Sequence, residues 1–144
     1  MPQIRLFNEE LRYLSLFESI TGAQAKDCVI DQERSRILFV VKQGHMGLAI
    51  GRNGSNVKRL TKLIGKSVEV VEDADKPEDL IKNSLLPAKV HSVKIIKSPD
   101  GKTVAFVTVN PQEKGVAIGR DGNKILRARI LAKRYFDIDN VVIN

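Results

Sequence analysis

Gly51-Arg-Asn-Gly54 and Gly119-Arg-Asp-Gly122 are the stretches of this chain best equipped for chemistry, and the chemistry is anion binding. Two glycines with two residues between them allow a tight turn and close approach by another group. Each turn follows a short apolar run, and Ser55 or Asn123 then opens a helical pattern. The turn therefore feeds a helix N-terminus, where unpaired N–H groups and the positive end of the helix dipole favour an anion. Arg52 and Arg120 place a cation inside each loop, and the expected anion is phosphate. The loops differ chemically at one position, Asn53 against Asp121. Both types tolerate left-handed backbone angles and both cap helices well, so a capping role and a direct phosphate contact are both open there.

The elements that must hold these loops repeat with them. Gly47-Leu-Ala-Ile-Gly-Arg-Asn-Gly54 recurs as Gly115-Val-Ala-Ile-Gly-Arg-Asp-Gly122, a shift of 68 residues in a chain of 144. A repeat of about half the chain predicts two domains, residues 1–74 and 75–144. In the first, Leu11, Leu14, Phe17 and Ile20 give a helix its apolar face, and Thr21-Gly22 ends it. Cys28–Asp31 and Ile37–Val41 read as strands, Met46–Ile50 as a short helix, Ser55–Ile64 as a longer one and Val68–Val71 as a last strand. In the second, Asp75 and Glu78 resemble a capping box with Pro77 at an early helical position, so a helix starts near Lys76 and stops before Pro87. A strand over Lys89–Ile96, an Asp-Gly hairpin turn at 100–101 and a strand over Thr103–Val109 follow. A short helix through Val116, a helix over Asn123–Arg134 and a strand over Asn140–Ile143 complete the pattern. Each half thus reads helix, strand, strand, helix, glycine turn, helix, strand. That is an α+β domain with a three-stranded sheet and helices on one face.

Composition narrows the partner. With 24 Lys/Arg against 17 Asp/Glu, the net charge of +7 favours an acidic ligand, nucleic acid before an anionic membrane surface. The second half is the more basic, 13 cations to 8 acids against 11 to 9 in residues 1–74. A single cysteine, Cys28, excludes an intrachain disulfide and reads as a buried thiol. Met1-Pro-Gln-Ile-Arg5 lacks the apolar core of a leader peptide, and no apolar run approaches the ~18 residues of a membrane span, so a cytoplasmic protein is expected. His45 and His91 stand alone, away from metal spacing, and no metal or cofactor is expected. The chain lacks a G-x-x-x-x-G-K-[ST] loop, a dinucleotide fingerprint and a convincing nucleophile–base pair, so no catalytic residue is assigned.

The doubled helix–GXXG–helix unit resembles the KH domain, and the order of elements resembles its type II arrangement. Two such units on a very short linker are similar to the tandem KH pair of the NusA family. Leu48-Ala-Ile-Gly-Arg-Asn-Gly-Ser-Asn-Val57 and Asn83-Ser-Leu-Leu-Pro-Ala-Lys-Val90 carry the closest likeness. Bacterial members also have a polymerase-binding domain and an OB-type barrel before the pair. A length of 144 residues has room for neither, which resembles the short archaeal form.

The resemblance implies that each GXXG loop clamps the backbone of about four nucleotides of single-stranded RNA. Gly51, Arg52, Asn53 and Gly54, and Gly119, Arg120, Asp121 and Gly122, would meet phosphates. Ala49-Ile50 and Ala117-Ile118 would form an apolar floor for bases. Lys58, Arg59 and Lys62 in the first copy, and Lys124, Arg127 and Arg129 in the second, would add charge along the strand. The residues alone also allow Ile50 and Ile118 to be ordinary core and the cations to be a solvated helix face. The implied function is non-catalytic RNA binding in transcription termination or antitermination, and RNA polymerase is a partner implied by the resemblance alone. An RNA chaperone or processing factor using the same groove is the alternative.

Overall fold

The structure is a computed structural model that describes residues 8–144. The expectation about a leader at residues 1–5, and the start of the first domain, lie outside the described residues. The chain divides into two compact units, one ending at Asp73 and the next beginning at Ala74. Each carries a three-stranded sheet.

In the first unit, helix α1 (Asn8–Thr21) leads into strands β1 (Ala25–Asp31) and β2 (Arg36–Val41). Then come α2 (Met46–Ile50), α3 (Ser55–Ile64) and strand β3 (Ser67–Glu72). β1 and β2 pair antiparallel, Cys28 facing Phe39, while β2 and β3 run parallel, Phe39 facing Val70. A parallel pair cannot be closed by a tight turn and needs a crossover of a dozen or more residues. Here α2, the Gly51–Gly54 loop and α3 are that crossover, so the sheet dictates where the loop sits. Ile37, Phe39 and Val41 point from β2 to the helix side, where they meet Phe17 of α1, Ala49 of α2 and Leu60 of α3. Phe17 and Phe39 stack with ring centroids 4.5 Å apart. Cys28 is buried in this core, as its apolar run predicts.

The second unit repeats the plan. Helix α4 (Pro77–Leu85) precedes β4 (Ser92–Lys97) and β5 (Thr103–Thr108), and α5 (Lys114–Ile118) and α6 (Asn123–Phe136) cross over to β6 (Asn140–Ile143). β4 and β5 are antiparallel, β5 and β6 parallel. Ala105, Val107 and Val141 of the sheet pack against Ile81 and Leu85 of α4, Ala117 of α5, and Ala128 and Ala132 of α6. The expected α+β architecture, three strands with helices on one face, is found in both halves.

Some local expectations change, the first being β1, which begins at Ala25 rather than Cys28. The cap of α4 is Lys76, extended at φ −108° and ψ 141°, and not Asp75, because Pro77 takes the first helical position and forces the residue before it out of the helical region. β4 begins at Ser92 rather than Lys89: the Lys89 N–H donates to Glu113 Oε1 at 2.9 Å instead of to a neighbouring strand. α6 runs two residues further, to Phe136, and stops where Asp137 turns left-handed at φ 55°.

Candidate nucleic-acid interface

The two loops have the same backbone. Gly51 lies at φ 75°, ψ 172° and Gly119 at φ 80°, ψ 170°. Asn53 lies at φ 55°, ψ 30° and Asp121 at φ 55°, ψ 27°, and Gly54 and Gly122 are left-handed at φ 74° and 75°. Of the two uses that Asn and Asp share, the left-handed backbone angle is the one found at Asn53 and Asp121. The capping positions fall on Gly54 and Gly122, with no side-chain hydrogen bond to the helix start. A helix cap by Asn or Asp needs extended backbone at that residue, and both loops are left-handed there.

The first glycine of each loop sits where no side chain fits. A Cβ on Gly51 would lie 2.9 Å from the Asn56 backbone nitrogen and 2.8 Å from its side-chain amide, and one on Gly119 would lie 2.9 Å from the Lys124 nitrogen. The loop is therefore folded back against the first turn of the helix that follows. In the first unit Asn56 fixes this fold, its Nδ2 donating to the Leu48 carbonyl of α2 at 2.8 Å. Asn56 is a residue that sequence reasoning missed. Its signal is weak, since the same register position of the second copy is Lys124. His45 opens α2 and accepts the Gln24 N–H at Nδ1, 3.0 Å away, which is a structural role.

The predicted site residues separate into three groups. Arg52, Arg120, Lys58, Arg59 and Lys62 are exposed, as are Asn53 and Asp121, and Lys124 is half-buried. Arg52, Asn53, Arg120 and Asp121 stand in the loops, and Lys58, Arg59, Lys62 and Lys124 on the helices that follow them. Ile50 and Ile118 keep 38% and 42% of their surface, so they belong to the surface and not to the core. Ala49 and Ala117 are fully buried under them, so their side chains offer a strand nothing to touch. On a five-residue helix the alanine faces the sheet and the isoleucine beside it faces out. Leu48 and Val116, which the reading of the repeat passed over, are exposed at the same register next to Ile50 and Ile118. The apolar platform is thus Leu48 with Ile50, and Val116 with Ile118.

Arg127 and Arg129 form the third group. Arg127 is buried, its Nε donating to the Ser84 carbonyl at 2.8 Å and its Nη2 to the Leu86 carbonyl at 3.3 Å. It closes the C-terminus of α4, where a cation is favoured by the helix dipole. Arg129 is half-buried and its Nε donates to the Val141 carbonyl of β6 at 3.0 Å. The sequence counts both as basic residues of the helix after the loop; tertiary packing commits them to the fold. Among the described residues no cluster of three metal-ligating side chains forms, and no helix is long and apolar enough to cross a membrane.

Comparison with known proteins agrees with this geometry. A KH domain model matches residues 10–100, and a model of the NusA-like second KH domain matches residues 77–142. A protein of Halococcus morrhuae named probable transcription termination protein NusA is 44% identical over 139 residues, covering 96% of this chain and 97% of that protein. One of the same name from Methanocaldococcus jannaschii is 33% identical over 143 residues, covering 99% of this chain and 76% of its own. The crystal structure of APE1850 superposes with a TM-score of 0.87 at 38% identity, covering 96% of this chain and all of that one. With two matched KH units and archaeal relatives that align with nearly all of it, the chain belongs to the NusA family of tandem KH proteins.

Proposed function

We propose that this chain is a non-catalytic, cytoplasmic protein that binds single-stranded RNA through its two GXXG loops and acts in transcription termination or antitermination. The observation that carries the binding is the pair of loops with one backbone, each presenting an exposed arginine and an exposed isoleucine. Backbone N–H groups and cations hold phosphates, and the apolar platform beside them takes bases. The residues proposed to contact RNA are Leu48, Ile50, Gly51, Arg52, Asn53, Gly54, Lys58, Arg59 and Lys62 in the first domain. In the second they are Val116, Ile118, Gly119, Arg120, Asp121, Gly122 and Lys124. Ala49, Ala117, Arg127 and Arg129 act behind them, as supports.

The process comes from the names of the relatives, each called a probable transcription termination protein. RNA polymerase is the partner that such a process implies. Crosslinking the protein to RNA in its own cells and sequencing the bound fragments tests this. Fragments concentrated near transcript 3′ ends are expected. Fragments concentrated in structured stable RNAs would replace termination with a chaperone or processing role.

A further inference from the structure

The two loops share a backbone but not a charge inventory. In the first domain Arg52, Lys58, Arg59 and Lys62 are all exposed, and no ion pair or side-chain hydrogen bond among the described residues engages them. The shift of 68 carries Lys58, Arg59 and Lys62 onto Leu126, Arg127 and Ile130. Leu126 packs against the core of its own domain, Ile130 is uncharged, and Arg127 is buried on the α4 carbonyls. Arg129, which has no basic counterpart in the first copy, is engaged by Val141. What remains open at the second loop is Arg120 and Lys124, set against the exposed carboxylate of Asp121. The more basic half of the sequence thus has the less basic loop.

Resting on the RNA-binding reading above, we infer that the domains hold a strand by different means. The first anchors phosphates and carries most of the salt dependence. The second holds the strand mainly by apolar contact with its bases, at Val116 and Ile118, and contributes little to that dependence.

A matched pair of variants of the full chain tests this. Arg52→Asp with Asn53→Asp gives the first loop the same two carboxylates that Arg120→Asp gives the second. Asp is already native at φ 55° in the second loop, so the left-handed position tolerates it. Binding of an unstructured single-stranded RNA of about twelve nucleotides, three times the span of one KH loop, is followed by anisotropy across a salt series. At roughly 0.7 per phosphate contact, the first-loop variant should retain a log K against log salt slope near −1, and the second-loop variant a slope near −3. Equal residual slopes would overturn the inference while leaving loop-mediated binding intact. Unchanged affinity in both variants, and in their combination, would overturn the loop-mediated reading itself and the inference with it. Should a loop variant fail to fold, Lys58→Gln with Lys62→Gln on the exposed face of α3 is the second test. It should flatten the slope by about 1.4, and an unchanged slope would overturn the inference.

Discussion

At Gly51 and Gly119 the backbone takes a combination of positive φ and extended ψ that is nearly restricted to glycine, and a Cβ there would press on the helix that follows. Gly51→Ala and Gly119→Ala should each cost about 1–3 kcal/mol from the backbone conformation alone. Urea unfolding reads this as a lowered midpoint, and a midpoint equal to that of the unaltered protein would show that the loop relaxes freely. The same residue scale holds the one chemical difference between the loops. Asp121 is exposed and left-handed, as Asn53 is, and caps nothing. Asp121→Asn should therefore leave the thermal midpoint unchanged. Single-stranded RNA should bind about two- to fivefold more tightly at low salt, since one screened charge near a phosphate is worth up to roughly 1 kcal/mol. Unchanged affinity would mean that the Asp121 carboxylate points away from the strand.

At the scale of elements, two arginines at one register position have opposite duties. Arg127 ties α6 to the end of α4, whereas Arg59 stands in solvent. Arg127→Ala leaves the buried Ser84 carbonyl without this donor and should destabilise the second domain by about 1–3 kcal/mol. Arg59→Ala should stay within about 0.5 kcal/mol. Chemical denaturation of both variants checks the contrast, and equal costs would contradict it. The join between β5 and β6 makes a pH prediction. The Thr103 N–H donates to Asp139 Oδ2 at 2.8 Å and Lys133 Nζ to Oδ1 at 2.9 Å, and these hold the Asp139 carboxyl below the usual carboxylate range. A carboxylate whose pKa falls on folding stabilises fully above its unfolded value, near 3.9, and loses that contribution as pH falls through the lower folded value. The thermal midpoint should drop over that acid range, and Asp139→Asn should lower the midpoint at neutral pH while making the acid drop shallower. An acid profile unaltered by the substitution would remove Asp139 from the account. The elements themselves were legible in the sequence because their signals are local. The doubled glycine turn, the β-branched run Ile37–Val41 and the Asp-Gly turn each specify structure within a few residues. What the sequence hid depends on contacts far along the chain. The Arg127 to Ser84 bond spans 43 residues, and no spacing rule distinguishes a lysine-like arginine on a helix from one that closes a distant helix end. Ala49 and Ile50 are likewise adjacent in sequence, and only the packing of α2 on its sheet sends one inward and the other out.

For the whole molecule, the cations proposed to meet RNA are those of the GXXG loops and of the helices that follow them. The net charge of +7 alone would give weak attraction to any polyanion. Loops that clamp phosphates and a platform that takes unpaired bases instead require a flexible strand, because bases stacked in a duplex cannot reach the platform. The most direct measurement is a salt titration of the full chain with single-stranded RNA and with a duplex of the same sequence. If about six phosphates are contacted, log K against log salt should slope near −4 for the single strand, at roughly 0.7 per phosphate, and the single strand should bind more tightly than the duplex at every salt concentration. A slope near zero, or equal affinity for the two forms, would contradict the reading of these loops as clamps for single-stranded RNA.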